Sequence, residues 1–321
     1  MARRTPLIVA LASYAFALAI LIRLVWPGGW PVELAALFHH YVAIGGALLL
    51  LVALLFRVGL SQLVLAVAVG AAFWPLLVSG VPIAESAERS NLRIMSANVV
   101  HGIPSAEPFG EIIAAFAPDI VVMQEIAEPV TALIAALPDY PHVASPWAVP
   151  QGVVVISRHP MTHGPIPGLA EPPRGAGGGL GLRAEIAIPG DRPLILYAIH
   201  APTPKAEIGF EARARYLDAV AAAIAAEPEG SLIVLAGDWN TPPWSPTFTR
   251  LFDTTGLATS ETSAWPGPTR IIRRFDFIHW LGSPVDHIAV SPQIAREAFT
   301  IGPDIGSDHL PVIADLLVPE S

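Results

Sequence analysis

The first eighty residues alternate between long apolar runs and short polar breaks. Three runs each have about the twenty residues that a helix needs to cross the hydrocarbon core of a bilayer. They occupy residues 7–26, 34–56 and 58–81. The first run is too long for the apolar core of a secretory signal peptide, and two further runs follow it. The pattern therefore predicts a bundle of three transmembrane helices over residues 1–83.

Beyond residue 90 the apolar runs become short, which is typical of strands in a folded domain. Predicted strands occupy residues 92–99, 119–126, 152–157, 193–200, 232–236 and 284–291. Helical spacing appears over 111–117 and over 205–226, where Arg213 is expected on the surface, and residues 165–181 read as a flexible surface loop. This order predicts an α/β sandwich of two packed sheets over residues 91–321, after a linker at 84–90.

Composition separates the two parts further. The mean hydropathy of +0.55 is too high for an ordinary soluble domain. Residues 90–321 carry thirteen basic and twenty-four acidic side chains, a formal net charge of −11. Such a domain offers no basic face to a nucleic-acid backbone, so no nucleic-acid partner is expected. Cysteine is absent, which excludes disulfides, thiolate metal sites and a cysteine nucleophile.

The charged residues around the apolar runs predict an orientation. Arg3, Arg4 and Arg57 lie on one side if all three runs cross, and positive residues favour the cytoplasmic side. Three tryptophans then fall at the opposite interface, Trp26, Trp30 and Trp74. We therefore expect a multi-pass membrane protein with its C-terminal domain on the outer side, in the periplasm or the extracellular space.

Polar residues follow several of the predicted strands. The strand at 232–236 leads through a glycine to Asp238 and Asn240, which places a carboxylate and a carboxamide at the edge of a sheet. Alternation along an extended chain points both side chains the same way. Taken alone, an Asp-x-Asn sequence is equally consistent with a polar turn that closes a strand. Asn98, Glu125 and His200 also end apolar runs, so the whole set favours a functional site.

The order of these residues resembles the endonuclease/exonuclease/phosphatase superfamily, which has the DNase I-like fold. The resemblance covers about residues 91–318 and depends most on Ala-Gly-Asp-Trp-Asn at 236–240 and Gly-Ser-Asp-His-Leu-Pro-Val at 306–312. The three apolar runs ahead of the domain resemble a bacterial membrane-anchored branch that includes proteins linked to teicoplanin resistance. The resemblance implies a metal-dependent phosphoric ester hydrolase.

The family likeness also implies a metal site. Glu125 would hold a hard divalent ion, Mg²⁺ or Mn²⁺, through oxygen ligands. Asn98 and Asp308 would complete or support that site.

The catalytic roles implied by the resemblance fall on five further residues. Asp238 would orient and deprotonate water, and Asn240 would help to place it. His200 and His309 would donate to the phosphoryl oxygens, with Asp286 holding the His309 ring. Asp286 is preferred to Asp276 for this role because Val-Asp-His-Ile better resembles the family's strand. His200 has no evident carboxylate partner in the sequence.

Three functions remain open from the sequence. The first is hydrolysis of a lipid phosphodiester or a lipid-linked phosphate at the outer membrane face. The second is a tethered periplasmic nuclease or a hydrolase of soluble phosphodiesters, and the third is a non-catalytic membrane binding protein. Trp147 and Trp244 are candidates either for contact with the lipid interface or for the core. The head group, the choice between monoester and diester, the number of metal ions and the oligomeric state stay open.

Overall fold

The computed structural model describes residues 4–100, 105–126, 128–145, 152–261, 267–273 and 281–320. The chain divides into two compact units. The helical unit consists of Met1–Gly80 together with Trp244–Pro246, and the sheet unit consists of Val81–Pro243 and Thr247–Ser321. Asp276 and Trp147, on which two sequence-based expectations depend, lie outside the described residues.

The helical unit contains three long helices and one short one. They are α1 (Arg4–Val25), α2 (Trp30–Ala36), α3 (His39–Phe56) and α4 (Leu60–Leu77). The three long helices are long and apolar enough to cross a membrane. The second predicted run is divided, because α2 ends at Ala36 and the transmembrane candidate begins at His39. Large apolar side chains stay exposed on these helices, such as Leu55 at 80%, as a lipid-facing surface requires.

Trp244 is a core residue of the helical unit, which decides between the two expectations for its side chain. It is 8% exposed, and its Nε1 donates a hydrogen bond of 2.6 Å to the Ala36 carbonyl. The Ser245 hydroxyl donates to the carboxylate of Glu33 at 2.9 Å. Within this apolar unit, the hydrogen bond gives the buried Glu33 carboxylate a polar partner, which a buried charge needs.

In the described residues of the sheet unit, the strands form two six-stranded sheets and one short ladder. The first contains, in spatial order, β13 (Ala295–Ile301), β14 (Val312–Leu317), β1 (Leu92–Asn98), β2 (Ile120–Gln124), β4 (Val154–Ser157) and β3 (His142–Ala144). The second contains β5 (Met161–Pro165), β6 (Gly179–Ile186), β7 (Leu194–His200), β8 (Leu232–Asp238), β12 (Asp286–Val290) and β9 (Ala258–Thr259). A separate ladder pairs β10 (Arg270–Ile271) with β11 (Gly282–Ser283). The predicted two-sheet α/β sandwich is confirmed.

The main core lies between the two sheets. Fully buried aliphatic side chains from both sheets form one cluster, including Ile94 and Val122 from the first and Leu196, Val234 and Ile288 from the second. The outer faces are covered by helices, which are α5 (Glu107–Phe116), α6 (Glu128–Ala135), α7 (Glu207–Ala225) and α8 (Pro246–Thr255). Because the central strands are buried on both faces, they read in the sequence as continuous apolar runs.

The segment that connects the two units is short. α4 ends at Leu77, and the sheet unit begins at Val81. The Ala84 N–H already donates to the carbonyl of Thr259 at 2.9 Å. Residues 78–80 are therefore the only part of the chain between α4 and the sheet unit at this point.

The strand register brings polar residues to one edge of the sandwich. β1 and β2 are parallel neighbours with Asn98 beside Gln124, and β7 and β8 are parallel neighbours with His200 beside Asp238. β12 runs antiparallel to β8 with Asp286 beside Asp238. The carboxyl ends of parallel strands are where α/β proteins usually bind ligands. The candidate site lies at this edge.

Candidate active site

Three adjacent strands of the second sheet supply one wall of the site. His200 ends β7, Asp238 ends β8 and Asp286 begins β12, in register with one another. All three side chains are buried. Gly237 is required just before Asp238, because its φ is +147° and an added Cβ would lie 2.0 Å from the carbonyl oxygen of Ile199. The close approach of β7 and β8 therefore helps to place Asp238.

The first sheet supplies the opposite wall through Asn98 and Glu125. Asn98 Nδ2 donates to Glu125 Oε1 and to Asp238 Oδ2, each at 3.2 Å. The Val100 N–H donates to Asn98 Oδ1 at 3.1 Å, which orients the amide. Glu125 follows β2 with a φ of +56°, so the chain turns where the carboxylate is presented. Asn98 thus joins the two sheets through their site carboxylates.

Asn240 is held against Asp238 by its backbone and its side chain. Its φ is +48°, which lets its N–H donate to Asp238 Oδ1 at 2.8 Å. Its Nδ2 donates to the Ala201 carbonyl at 2.9 Å and to Asp238 Oδ2 at 3.1 Å. The Asp-x-Asn segment is therefore a compact turn whose polar groups converge on one carboxylate.

His309 and Asp286 form a hydrogen-bonded pair. His309 Nδ1 lies 2.9 Å from Asp286 Oδ2, and because a carboxylate accepts, Nδ1 carries the proton. His309 Nε2 then faces Asp238 Oδ2 at 3.8 Å. Burial lowers the pKa of His309, but the charges of Asp286 and Asp238 outweigh burial and raise the pKa to about 9. His309 is therefore a proton donor at neutral pH.

His200, for which the sequence suggested no carboxylate partner, lies between two of them. Its Nε2 is 3.5 Å from Glu125 Oε1 and 3.6 Å from Asp238 Oδ2. Both ring nitrogens are buried and neither makes a hydrogen bond with a described residue. Buried polar atoms are costly without partners, so this ring is placed to bind a ligand atom.

Asp308 is the one predicted site residue whose hydrogen bonds, within the described part of the chain, go to residues outside the predicted site. Its Oδ2 accepts from Arg270 Nη2 at 3.4 Å, and its backbone carbonyl accepts from the Ile271 N–H at 2.8 Å. Within the described part of the chain, it makes no hydrogen bond to Glu125 or Asn98. The other seven predicted residues are connected by the contacts above, and the role of Asp308 in a metal site stays a prediction.

The sequence interpretation missed three supporting residues. Arg213 was expected on the surface of α7, which is wrong, because it is fully buried and its Nη1 donates to the Asn240 carbonyl at 2.7 Å. Arg213 lies four residues before Leu217 and seven before Val220 on α7, and this helical spacing could have predicted that its side chain is buried. The other two are Ser307 and Thr269.

Ser307 and Thr269 fix the backbone around the site through their hydroxyl groups. Ser307 Oγ donates to the Asn98 carbonyl at 2.6 Å and accepts the His309 N–H at 3.1 Å. Thr269 Oγ1 accepts from the N–H groups of Val285 and Asp286 at 2.9 and 3.0 Å. No spacing in the sequence indicates the contact of Thr269.

The concentration of carboxylates fits a divalent cation. Carboxylate oxygens of Asp238 and Asp286 lie within 4.8 Å of each other. Burial raises the pKa of Asp238, His309 lowers it, and Asp286 raises it further. Asp286 Oδ1 is buried and has no hydrogen-bond partner among the described residues. Protonated His309 offsets only one of these two buried negative charges, so they are costly unless a further cation compensates them, and oxygen donors suit a hard ion.

Two packed sheets with acids, histidines and amides at one edge are compatible with the cleavage of phosphate esters. Residues 95–309 match the model of the Endonuclease/Exonuclease/phosphatase family. The chain therefore belongs to that family, whose members hydrolyse phosphate esters and typically depend on a divalent metal. The prediction of a phosphoric ester hydrolase is confirmed at this level.

Solved structures share the fold at low identity. An endonuclease/exonuclease/phosphatase from Beutenbergia cavernae is 23% identical with a TM-score of 0.55, covering 72% of this chain and 72% of its own. A mannosyl-6-phosphatase from Bacteroides thetaiotaomicron is 15% identical with a TM-score of 0.54, covering 71% and 100%. Beta toxin from Staphylococcus aureus is 15% identical with a TM-score of 0.53, covering 70% and 99%. Among curated proteins, no sequence match is found.

Proposed function

We propose that the protein is a membrane-anchored phosphoesterase that hydrolyses a lipid phosphodiester or a lipid-linked phosphate at the outer face of a bacterial plasma membrane. The observation that supports a lipid substrate is the short tether. Four peptide steps lead from Leu77 at the end of the third candidate span to Val81 of the sheet unit, a reach of at most about 15 Å. A substrate in the same membrane is then present at a high effective concentration.

The proposed reaction starts with Asp238 and water. Burial raises the pKa of the Asp238 carboxyl group, which makes it a better proton acceptor from a water molecule. The hydrogen bonds from Asn240 to Asp238 keep one orientation of the carboxylate. Asp238 would therefore direct the water towards phosphorus and accept its proton.

The two histidines would stabilise the phosphoryl group. His309 is held by Asp286 through Nδ1, so its Nε2 donates towards the oxygen atoms on which charge develops. His200 would donate from the opposite side of Asp238. Neither ring has to reorganise when the ester binds, because both are buried and packed in place.

Glu125 would hold the metal ion, with Asn98 and Asp308 completing or supporting the site. Mg²⁺ is the ion we propose, with Mn²⁺ as the alternative, because both prefer oxygen ligands. The bound ion would neutralise charge on the phosphoryl oxygens.

The outward orientation is tested by labelling. Arg57, between the second and third candidate spans, favours the cytoplasmic side, so the sheet unit is expected outside. Because the chain has no cysteine, Glu229→Cys introduces a single thiol on an exposed loop of the sheet unit. We expect a membrane-impermeant maleimide to label this variant in intact spheroplasts. Labelling only after lysis would place the sheet unit in the cytoplasm.

The substrate class is tested with full-length protein in vesicles and in detergent. With Mg²⁺ present, phospholipids, polyprenyl phosphates, DNA and sugar phosphates are offered at equal concentration. We expect lipid esters in the vesicles to be hydrolysed with the highest kcat/KM. A preference for DNA or for soluble esters would instead support a tethered nuclease or a soluble-phosphodiester hydrolase. The net charge of −11 after residue 89 argues against DNA.

A further inference from the structure

The loop between β5 and β6 encloses a pocket, although the sequence suggested only a flexible surface segment there. The cavity has a volume of about 270 Å³ and is lined by residues 171–175 and 177–180 together with Gly152. This volume corresponds to roughly nine water molecules at about 30 Å³ each, enough for one small polar group. None of the functions proposed above uses this pocket.

The pocket adjoins the candidate active site through its backbone. Gly179 is the register partner of His200. A Cβ added to Gly178 would lie 2.9 Å from the His200 carbonyl oxygen. Gly152 precedes β4, which runs antiparallel to β2, the strand that ends just before Glu125. A phosphate ester bound against His200 and Glu125 would therefore have this pocket beside it.

Arg174 determines what the pocket can recognise. Among the lining residues that the structure describes, it is the one basic side chain, and it is exposed. Among the residues that the structure describes, it makes no hydrogen bond and no ion pair, and Glu171 on the same lining does not pair with it. A guanidinium group is a planar fork of donors that matches phosphate and carboxylate groups.

The conformation and packing of the loop depend on its glycines. Gly177 and Gly178 have φ angles of +70° and +75°, which glycine adopts without the steric cost that other residues meet. Side chains at Gly178 would also collide with Pro202 N at 2.6 Å, so the close packing of the loop depends on glycine.

We infer that this cavity, the Arg174 pocket (Gly152, 171–175 and 177–180), is a specificity site for a second anionic group of the substrate. That group is a phosphate or a carboxylate on the substituent next to the scissile phosphate. The inference rests on the proposed phosphoesterase function and specifies its substrate as a doubly anionic ester. Glu171 opposes anion binding and limits the affinity.

Two soluble esters with the same scissile bond test the inference on the full-length protein with Mg²⁺. They are thymidine 5′-(p-nitrophenyl phosphate) with and without a 3′-phosphate. We expect Arg174→Gln to lower kcat/KM by about tenfold for the ester with the second phosphate and little for the other, because a hydrogen bond to a charged group is lost. Glu171→Gln should raise kcat/KM for the doubly anionic ester only.

The matched control is Arg192→Gln. Arg192 is also exposed, and it lies before the opposite end of β7 from His200. It should change neither rate. If Arg174→Gln lowers both rates equally, or neither, the pocket does not recognise a second anion and the inference is overturned.

A lipid pair distinguishes the sources of the anion. Vesicles contain either phosphatidylglycerol or phosphatidylglycerol phosphate, which share the diester and differ in the terminal phosphate. A selective loss on the second lipid in Arg174→Gln supports a lipid head group as the anion. The same loss on the soluble pair supports recognition of the anion whatever carries it.

Binding measurements separate this inference from the proposed function. If wild-type protein hydrolyses no ester with Mg²⁺, the proposed function fails, but calorimetry still tests the pocket. Thymidine 3′,5′-bisphosphate should bind about tenfold more tightly than thymidine 5′-monophosphate, and Arg174→Gln should remove this difference. Equal binding of the bisphosphate by wild type and variant would overturn the inference.

Discussion

Two acid–histidine pairs share neighbouring residues of β12 but have different surroundings. Asp286 pairs with His309, which we call the front pair because it faces the candidate site. His287, the next residue, pairs with Glu261, and we call these two the rear pair. Neighbouring residues of a strand point to opposite faces of the sheet, so the same short segment serves both pairs.

The pairs differ at the second ring nitrogen of the histidine. In the front pair, His309 Nε2 makes no hydrogen bond with the described residues and faces Asp238 at 3.8 Å. In the rear pair, His287 Nδ1 lies 3.2 Å from Glu261 Oε1, and Nε2 lies 2.8 Å from the Thr241 carbonyl oxygen. Both partners of His287 are acceptors, so both of its nitrogens carry protons.

This difference distinguishes a structural pair from the pair that we propose to be catalytic. The His287 ring is fully buried and its centroid lies 5.0 Å from Trp239 and 4.9 Å from Phe248, so no ligand reaches it. Its hydrogen bond to Thr241 holds the residue that follows Asn240. An acid–histidine pair is available for chemistry only where the protein leaves the second nitrogen without an acceptor.

The largest expected effect comes from removing the metal ion that we propose for the site that the front pair faces. Chelation should abolish turnover, and Mg²⁺ should restore it. Glu125→Gln keeps the shape of the side chain but removes its charge, so turnover should fall at least a hundredfold and need more Mg²⁺, because a charged ligand is lost. Turnover and metal dependence are followed in a Mg²⁺ titration with a chromogenic ester.

Glu261→Gln is the matched control, because it makes the same change in the rear pair. It should leave the Mg²⁺ concentration for half-maximal turnover unchanged. Wild-type turnover of Glu125→Gln across the titration would remove Glu125 from the metal site.

The second effect breaks the front pair itself. Asp286→Asn removes the charge that holds His309 protonated and oriented, so kcat should fall by about 10²–10⁴-fold, the usual contribution of a general acid or base. Asp276→Asn is the matched change at the alternative aspartate and should matter less. If the ranking of the two kcat values is reversed, Asp276 is the partner of the catalytic histidine.

The third effect breaks the rear pair and should appear mainly in stability. Glu261→Gln leaves the buried His287 imidazolium without its countercharge, which costs about 3 kcal/mol of unfolding free energy when one partner of a buried pair is lost. kcat should fall less than in Asp286→Asn, by roughly tenfold at most, because only positioning is affected. Unfolding temperature and kcat are measured on the same preparation.

The double variant Glu261→Gln with His287→Gln provides the control, since it removes both charges. It should recover part of the lost stability. If Glu261→Gln instead lowers kcat as far as Asp286→Asn without loss of stability, the rear pair takes part in the chemistry and the comparison fails.

The smallest effect is a dependence of stability on pH. Burial lowers the pKa of His287, but Glu261 and the Thr241 carbonyl outweigh burial and raise the pKa above 6.5. A histidine with a raised folded-state pKa stabilises the fold fully below 6.5, and this contribution is lost as pH rises through the raised value. The unfolding temperature of wild type relative to His287→Gln should therefore be higher at pH 6 than at pH 9. A difference that does not change with pH would show that His287 is buried neutral.

Much of the candidate site is predictable from the sequence because its residues end apolar strands. Asn98, Glu125, His200 and Asp238 each follow such a run, and the structure joins them through direct contacts at one edge of the sandwich. The apolar runs of the first eighty residues likewise predict three long helices without any tertiary information. In both cases the signal is local, since burial on all sides requires a continuous apolar run.

Only the tertiary structure decides how the polar side chains are paired. Alternation predicts that Asp286 and His287 face opposite sides, but not which side meets His309, 23 residues away, and which meets Glu261, 26 residues away. The burial of Arg213 against Asn240 depends in the same way on the packing of α7 on the second sheet. A strand or a helix depends on neighbours along the chain, whereas a hydrogen bond depends on atoms that only packing brings within about 3 Å. The sequence therefore determines the elements and the residue types at their ends, and packing determines which of those residues are left with an atom free to react.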